Sequence, residues 1–374
     1  MKSILILSFI VIGCHNVQNE TKTIQIDMEA AVPGIAEKVF SKISYVTIKL
    51  PDSVYFGDIE HIKSSGKYLF LHDLYQTQSI TIIDTLGNYI NQLKRKGRGP
   101  GEYMDIESFA YDKDNKELVI NDRVSKQFQF YSFPDLEHVL TKRKNQYLNT
   151  FEVLDASHWL VISDEDNEQM EYAGVEIWDE NLNLKSKLDF MNNSILSIDL
   201  SYSNTITSFE DYFLYANPDE NTMIYKIDSQ NQTPIYSIDF GENKIPKEVF
   251  TNTKELLEAE YIFGESPNKA FWVQNVIENE NDLLFWAVYV VEQEPLYYQI
   301  VYDKIKNEVI VYSELKFNNT DISLPVPDGV VDGNYISSVY TDEIESRFIQ
   351  NKKLKIAIEE NENRETPILL IYRL

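Results

Sequence analysis

Three glycines alternate through Gly97-Arg98-Gly99-Pro100-Gly101-Glu102-Tyr103, a spacing that suggests a loop for phosphate. The dinucleotide fingerprint needs a third glycine where Glu102 stands, with a helix opening behind it. The P-loop needs Gly-Lys followed by Ser or Thr, which is absent. A carboxylate at that point would also repel phosphate. The residue types suit a structural turn better. Glycine permits positive φ and close backbone approach, and Pro100 fixes one φ and removes a ladder donor. In that reading Glu102 accepts backbone N–H bonds and Tyr103 packs between neighbouring elements. Arg98, Glu102 and Tyr103 are the candidate ligand-binding set.

Other chemistry is less marked. His61, His72, His138 and His158 form no His-Glu-x-x-His pair and no cysteine helps them, so no metal ligand is assigned. The turns Asp112 to Asn115 and Asp164 to Glu168 offer oxygens that suit calcium, but neither has the spacing of an EF-hand. Aspartate and asparagine also favour turns for their own sake. No cofactor is therefore expected, with structural calcium as the one alternative. There is no Gly-x-Ser-x-Gly elbow, and paired carboxylates cannot be picked out among 60 acidic residues, so no catalytic residue is named. Trp159, Trp178, Trp272 and Trp286 sit where strand cores are expected rather than on a sugar-stacking surface.

The net charge of −26 excludes nucleic acid as a partner. The single cysteine, Cys14, bears on location. Lys2 and the apolar run Ile4 to Ile12 precede Gly13-Cys14. The run is too short to span a membrane as a mature helix. It resembles the bacterial lipobox, which implies cleavage before Cys14 and acylation of that residue. The expected organisation is a signal peptide over 1–13, a lipidated tether over 14–42 and a folded body over 43–374. Lipid chains on Cys14 would hold the body to a membrane, the outer membrane being the expected one, on the extracytoplasmic side.

The body repeats. Runs rich in β-branched and aromatic residues recur in six copies, each a buried strand, an alternating strand and an edge strand. The anchors Asp73, Asp122, Asp164 and Asn217 lie 49, 42 and 53 residues apart, a period that suits a four-stranded propeller blade. Two insertions look helical. One is 251–260, with Asn252 as cap and Glu255 three residues on. The other is 342–360, with Ile344, Phe348, Leu354 and Ile358 at helical spacing. An open ring would leave an unpaired edge. Tyr45 to Leu50 is expected to supply the outer strand of the last blade beside Ile368 to Tyr372.

Gly97 to Tyr103, followed by Phe109, Asp112 and Val119-Ile120-Asn121-Asp122, resembles the signature of six-bladed β-propeller lipoproteins of bacteria, and more distantly NHL repeats. The resemblance implies an all-β, six-bladed β-propeller, closed by its N-terminal strand and carrying short helical insertions. It covers Ser41 to Leu374. The expected function is non-enzymatic binding or scaffolding of a peptide, glycan or protein partner, with Arg98, Glu102 and Tyr103 at the mouth of the channel. The alternative is a metal-dependent hydrolase or lyase at the channel, as in NHL-type lyases whose metal is held by histidines from different blades.

Overall fold

The computed structural model describes residues 21–145, 147–163, 175–188, 205–209, 212–216, 222–229, 231–245, 268–292, 294–340, 352–361 and 366–373. Six blades, each with four antiparallel strands, make up the fold. Blade 1 comprises His61–Ser65, Tyr68–Asp73, Ser79–Asp84 and Tyr89–Leu93. Blade 2 comprises Ser108–Asp112, Glu117–Asp122, Gln127–Ser132 and His138–Arg143. Blade 3 comprises Leu148–Asp155, His158–Ser163, Val175–Asp179 and Leu184–Leu188. Blade 4 comprises Ile206–Ser208, Phe213–Ala216, Met223–Ile227 and Gln232–Asp239. Blade 5 comprises Lys269–Glu278, Asp282–Val291, Glu294–Asp303 and Glu308–Lys316. Blade 6 takes Gly329–Val331, Asn334–Val339 and Ile368–Arg373 from the C-terminal end and Lys42–Thr47 from the N-terminal end.

Why the blades stack follows from their middle strands. A sheet flanked by neighbours on both faces needs apolar residues at every position, not at alternate ones. Asp282–Val291 is buried from Leu283 to Val290, and Tyr68–Asp73 from Leu69 to Asp73. Six apolar clusters fill the six clefts, such as Phe70, Ile82, Phe109 and Ile120 between blades 1 and 2. Trp159, Trp178 and Trp286 belong to these cores, whereas Trp272 is half-buried on the inner strand of blade 5.

The first strand of each blade lies nearest the axis, where Gly329–Val331 meets His61–Ser65 and Ser108–Asp112 meets Leu148–Asp155. These inner strands escaped the repeat pattern, because segments such as His-Ile-Lys-Ser-Ser at 61–65 have neither an apolar run nor clean alternation. The closing strand is in place. It pairs antiparallel with the C-terminal strand from Ile368↔Thr47 to Arg373↔Lys42, three residues earlier than expected.

The tether expectation fails from Thr21 onward. Lys22–Gln25 adds to the outer edge of blade 4, and Val32–Ile35 to the outer edge of blade 5, each parallel to the strand it joins. The four-residue helix α1, Ala36–Val39, then leads to the seam. The strands are short, at four residues each, which is why no periodicity marked them. Of the two helical insertions, 251–260 lies outside the described residues. The second yields helix α2, Lys352–Asn361, which packs Leu354 and Ile358 into the core beside Phe40. Ile344 and Phe348 lie outside the described residues.

Strand direction sorts the connections. Among the described residues one face carries only tight turns, none longer than Phe133 to Glu137. Aspartates close them: Asp84 accepts from the N–H groups of Leu86 and Asn88, and Asp179 from those of Asn181 and Asn183. Among the described residues the opposite face carries the long connections, including 48–60, 94–107 and 317–328. Loops positioned by a rigid scaffold are where binding residues gather.

Candidate functional site

The Gly97–Tyr103 loop leaves blade 1 on the long-loop face and crosses to blade 2. The Gly97 N–H donates to Tyr103 O at 2.8 Å, and the Glu102 N–H to Gly99 O at 3.1 Å. The Glu102 carboxylate folds back to accept the Gly99 N–H at 2.7 Å. A Cβ at position 97 would sit 2.0 Å from that carboxylate, and one at Gly101, where φ is +72°, would strike His138. Glycine is therefore required by close approach at one position and by backbone conformation at the other. Tyr103 is fully buried. Its hydroxyl donates to Gln78 O at 2.7 Å and accepts the Arg95 N–H at 3.0 Å, and burial pushes it up to about 12. Glu102 and Tyr103 thus hold the turn together, and Arg98 is left exposed at its tip.

That tip overhangs a cleft of about 590 Å³, bounded by the loop and by the two outer strands of blade 2. Its polar lining comprises Arg98, Glu102, Ser125, Gln127, Gln129, Thr141 and Arg143, with the Glu102 carboxylate taken up by the Gly99 N–H. Gln129, almost fully buried, forms the floor. Its Nε2 donates to Glu102 O at 3.1 Å, its Oε1 accepts from Thr141 Oγ1 at 2.5 Å, and His138 Nε2 lies 3.0 Å away. The cleft opens at the rim between blades 1 and 2. The expected position of Arg98, Glu102 and Tyr103 at the channel mouth is corrected accordingly: the loop spans the outer strands, and the channel is lined by the inner ones. Gln127, Gln129, Thr141 and Arg143 were missed by sequence reasoning. The signal available was their alternation along two strands.

The channel itself holds Lys63. Its Nζ donates to Phe109 O at 2.5 Å and to Glu152 Oε1 at 2.6 Å, tying the inner strands of blades 1, 2 and 3 together. His61 and His72 stack with ring centroids 5.8 Å apart. Burial first, then the neighbouring His61 and Lys63, hold His72 well below the usual range, so it stays neutral. His138 serves the cleft floor, and His158 pairs with Asp155 at 2.9 Å. Among the described residues no three His, Cys, Asp or Glu side chains converge as metal ligands.

The repeated aspartates of the sequence pattern are structural pins. Asp73 accepts from the N–H groups of Gly57 at 2.6 Å, Gln76 at 2.8 Å and Thr77 at 3.0 Å, and from Thr77 Oγ1 at 2.7 Å. Asp122 does the same for Met104 at 3.0 Å and Ser125 at 2.9 Å. Each fastens the incoming loop to the turn after the second strand. The equivalent Asp164 and Asn217 lie outside the described residues, as does the acidic turn that begins at Asp164. Both oxygens of Asp112, in the other acidic turn, are engaged by Asp114 and Asn115.

Three carboxyls on this face are raised. Burial lifts Glu60 from 4.5 to about 7 and Asp328 from 3.8 to about 7, while burial and then Asp122 lift Asp105 to about 6. Between about pH 4 and pH 7 the folded state therefore holds more protons than the unfolded chain. By linkage, stability falls as pH rises through that window. The expected loss from pH 5 to pH 8 is on the order of 2–4 kcal/mol, with half-buried Glu60 discounted for solvent. Urea unfolding across pH checks it, and the double variant Glu60→Gln, Asp328→Asn should flatten the profile.

Among curated proteins no sequence matches this chain. Among solved structures it is similar to the crystal structure of an exported-protein candidate from Bacteroides fragilis NCTC 9343. The match has a TM-score of 0.69 at 18% identity and covers 94% of this chain and 99% of that one. A looser likeness to the structure of U3-55K has a TM-score of 0.46 at 10% identity, over 89% of this chain and 98% of that one. At 18% identity the first likeness speaks to fold alone, and nothing is drawn from the second. The profile of a domain of unknown function, DUF4934, matches residues 22–373, a span that takes in the N-terminal strands on blades 4 and 5 as well as the ring, and the chain belongs to that family.

Proposed function

We propose that this protein is an extracytoplasmic lipoprotein, anchored through Cys14, whose propeller binds a partner without catalysis. The observation that carries the binding part is the rim cleft, where a rigid glycine turn presents Arg98 over a floor of satisfied polar side chains. The lipobox-like end of the apolar run supports the anchor, and with the Gly97–Tyr103 turn it supports kinship with the NHL-type lipoprotein propellers. Full-length protein in detergent, titrated with panels of peptides and glycans, tests the binding. A ligand whose affinity drops in Arg98→Ala supports the reading, and turnover of any ligand sinks its non-enzymatic half. For the anchor, Cys14→Ser should move the protein from the membrane fraction to the soluble one. Retention in the membrane fraction would sink the lipid assignment.

A further inference from the structure

The cleft stands out electrostatically. In a chain with 60 acidic and 34 basic residues, Arg98 of the loop and Arg143 of the outer strand line the same cleft, while Lys142 turns toward blade 3 and Lys144 is buried against Asn121. Among the described residues neither Arg98 nor Arg143 has a carboxylate partner. The outer strand of blade 3 differs. There Lys185 and Lys187 are neutralised within their own blade by Asp179 and Glu176.

The cleft is continuous with an open sheet edge. His138–Arg143 is the terminal strand of blade 2, and among the described residues nothing pairs with its outer side. Val139 and Leu140 on it are 47% and 37% exposed. Such an edge is a template for another strand. The molecule itself uses the equivalent edges of blades 4 and 5, where Lys22–Gln25 and Val32–Ile35 run parallel to the outer strands. Each added strand finishes at the strand end on the long-loop face. Gln25 lies opposite Asp239 and donates to its Oδ2 at 3.3 Å, and Ile35 lies opposite Lys316. The corresponding end residue of blade 2 is Arg143.

We propose that the outer edge of blade 2 takes an extended segment of a partner protein as a fifth, parallel strand, with an acidic residue at the C-terminal end of that segment seated between Arg143 and Arg98. The backbone ladder supplies sequence-tolerant affinity, Val139 and Leu140 give apolar contact, and the paired guanidiniums select a carboxylate through charge-assisted bonds. This rests on the binding reading above and narrows it to one partner class and one edge.

The test uses full-length protein in detergent and a fluorescent eight-residue peptide of alternating valine and threonine ending in two glutamates. Binding should weaken on the order of tenfold when the glutamates become glutamines, and similarly in the double variant Arg98→Ala, Arg143→Ala. Both arginines are exposed, so thermal unfolding of the variant should match the parent. Methylating alternate peptide nitrogens should abolish binding. Equal binding of the glutamate and glutamine peptides, or of parent and variant, overturns the proposal. Undiminished binding of the methylated peptide also overturns it, leaving an anion cleft without strand addition. If this peptide fails while another ligand binds in an Arg98-dependent way, the strand proposal falls and the broader reading stands. If no ligand binds, both fall.

Discussion

Removing Lys42–Thr47 should open the ring, with a fall in the thermal midpoint of more than about 10 °C and loss of a single cooperative transition. Six residue pairs with Ile368–Arg373 would go, leaving the C-terminal strand as a long apolar edge. The same segment positions Phe40, which packs against Tyr372 at 5.3 Å and Tyr335 at 6.1 Å between ring centroids. Helix α2 lies on this strand as well, so its cover is lost with it. Phe40→Ala isolates the packing share and should cost about 3–5 kcal/mol. Removing only Lys22–Ile35 leaves the seam intact and should cost less. Calorimetry of the three variants checks the ranking. A synthetic peptide of residues 21–50, added to the seam-deleted protein, should restore the transition. Unchanged unfolding after loss of the seam strand would refute closure by the N-terminal strand.

Asp73→Ala should be the most damaging single substitution on the long-loop face, costing on the order of 3–4 kcal/mol. The carboxylate is buried, with 1% of the residue exposed, and it satisfies three backbone N–H groups and one hydroxyl. Alanine leaves those donors without an acceptor inside the protein, which is the expensive side of hydrogen-bond loss. Asp73→Asn keeps one acceptor oxygen and should cost about half. Asp122→Ala removes fewer bonds and should fall between them. Urea titration measures all three. If Asp73→Ala shifts the midpoint no more than an exposed control such as Asp114→Ala, the pin is not what holds the loop.

The ring and its seam were legible because middle strands buried on both faces write long apolar runs, and these repeat at a blade's length. The inner strands were not. Lys63, Ser64 and Ser65 look like a polar connection, since an inner strand faces the axis and satisfies Lys63 with Glu152, a residue far away in sequence. The stretch 22–35 read as a tether because a fifth strand needs backbone hydrogen bonds more than apolar side chains. Within the loop, the structural roles of Glu102 and Tyr103 followed from residue chemistry. The cleft did not, because Arg98 and Arg143 meet only after blade 2 has paired Gln127 with Arg143.

The strands that bind residues 22–35 to blades 4 and 5 also limit how the whole molecule can stand. If Cys14 carries lipid, only eight peptide steps separate it from Lys22, a span of less than about 30 Å even at full extension. The propeller then cannot drift from the bilayer on a long leash. It would be moored by the rim at blade 4, and in a six-membered ring the cleft between blades 1 and 2 lies toward the opposite side. A short mooring line would hold the arginines outward, at the point of the disc farthest from the lipid headgroups.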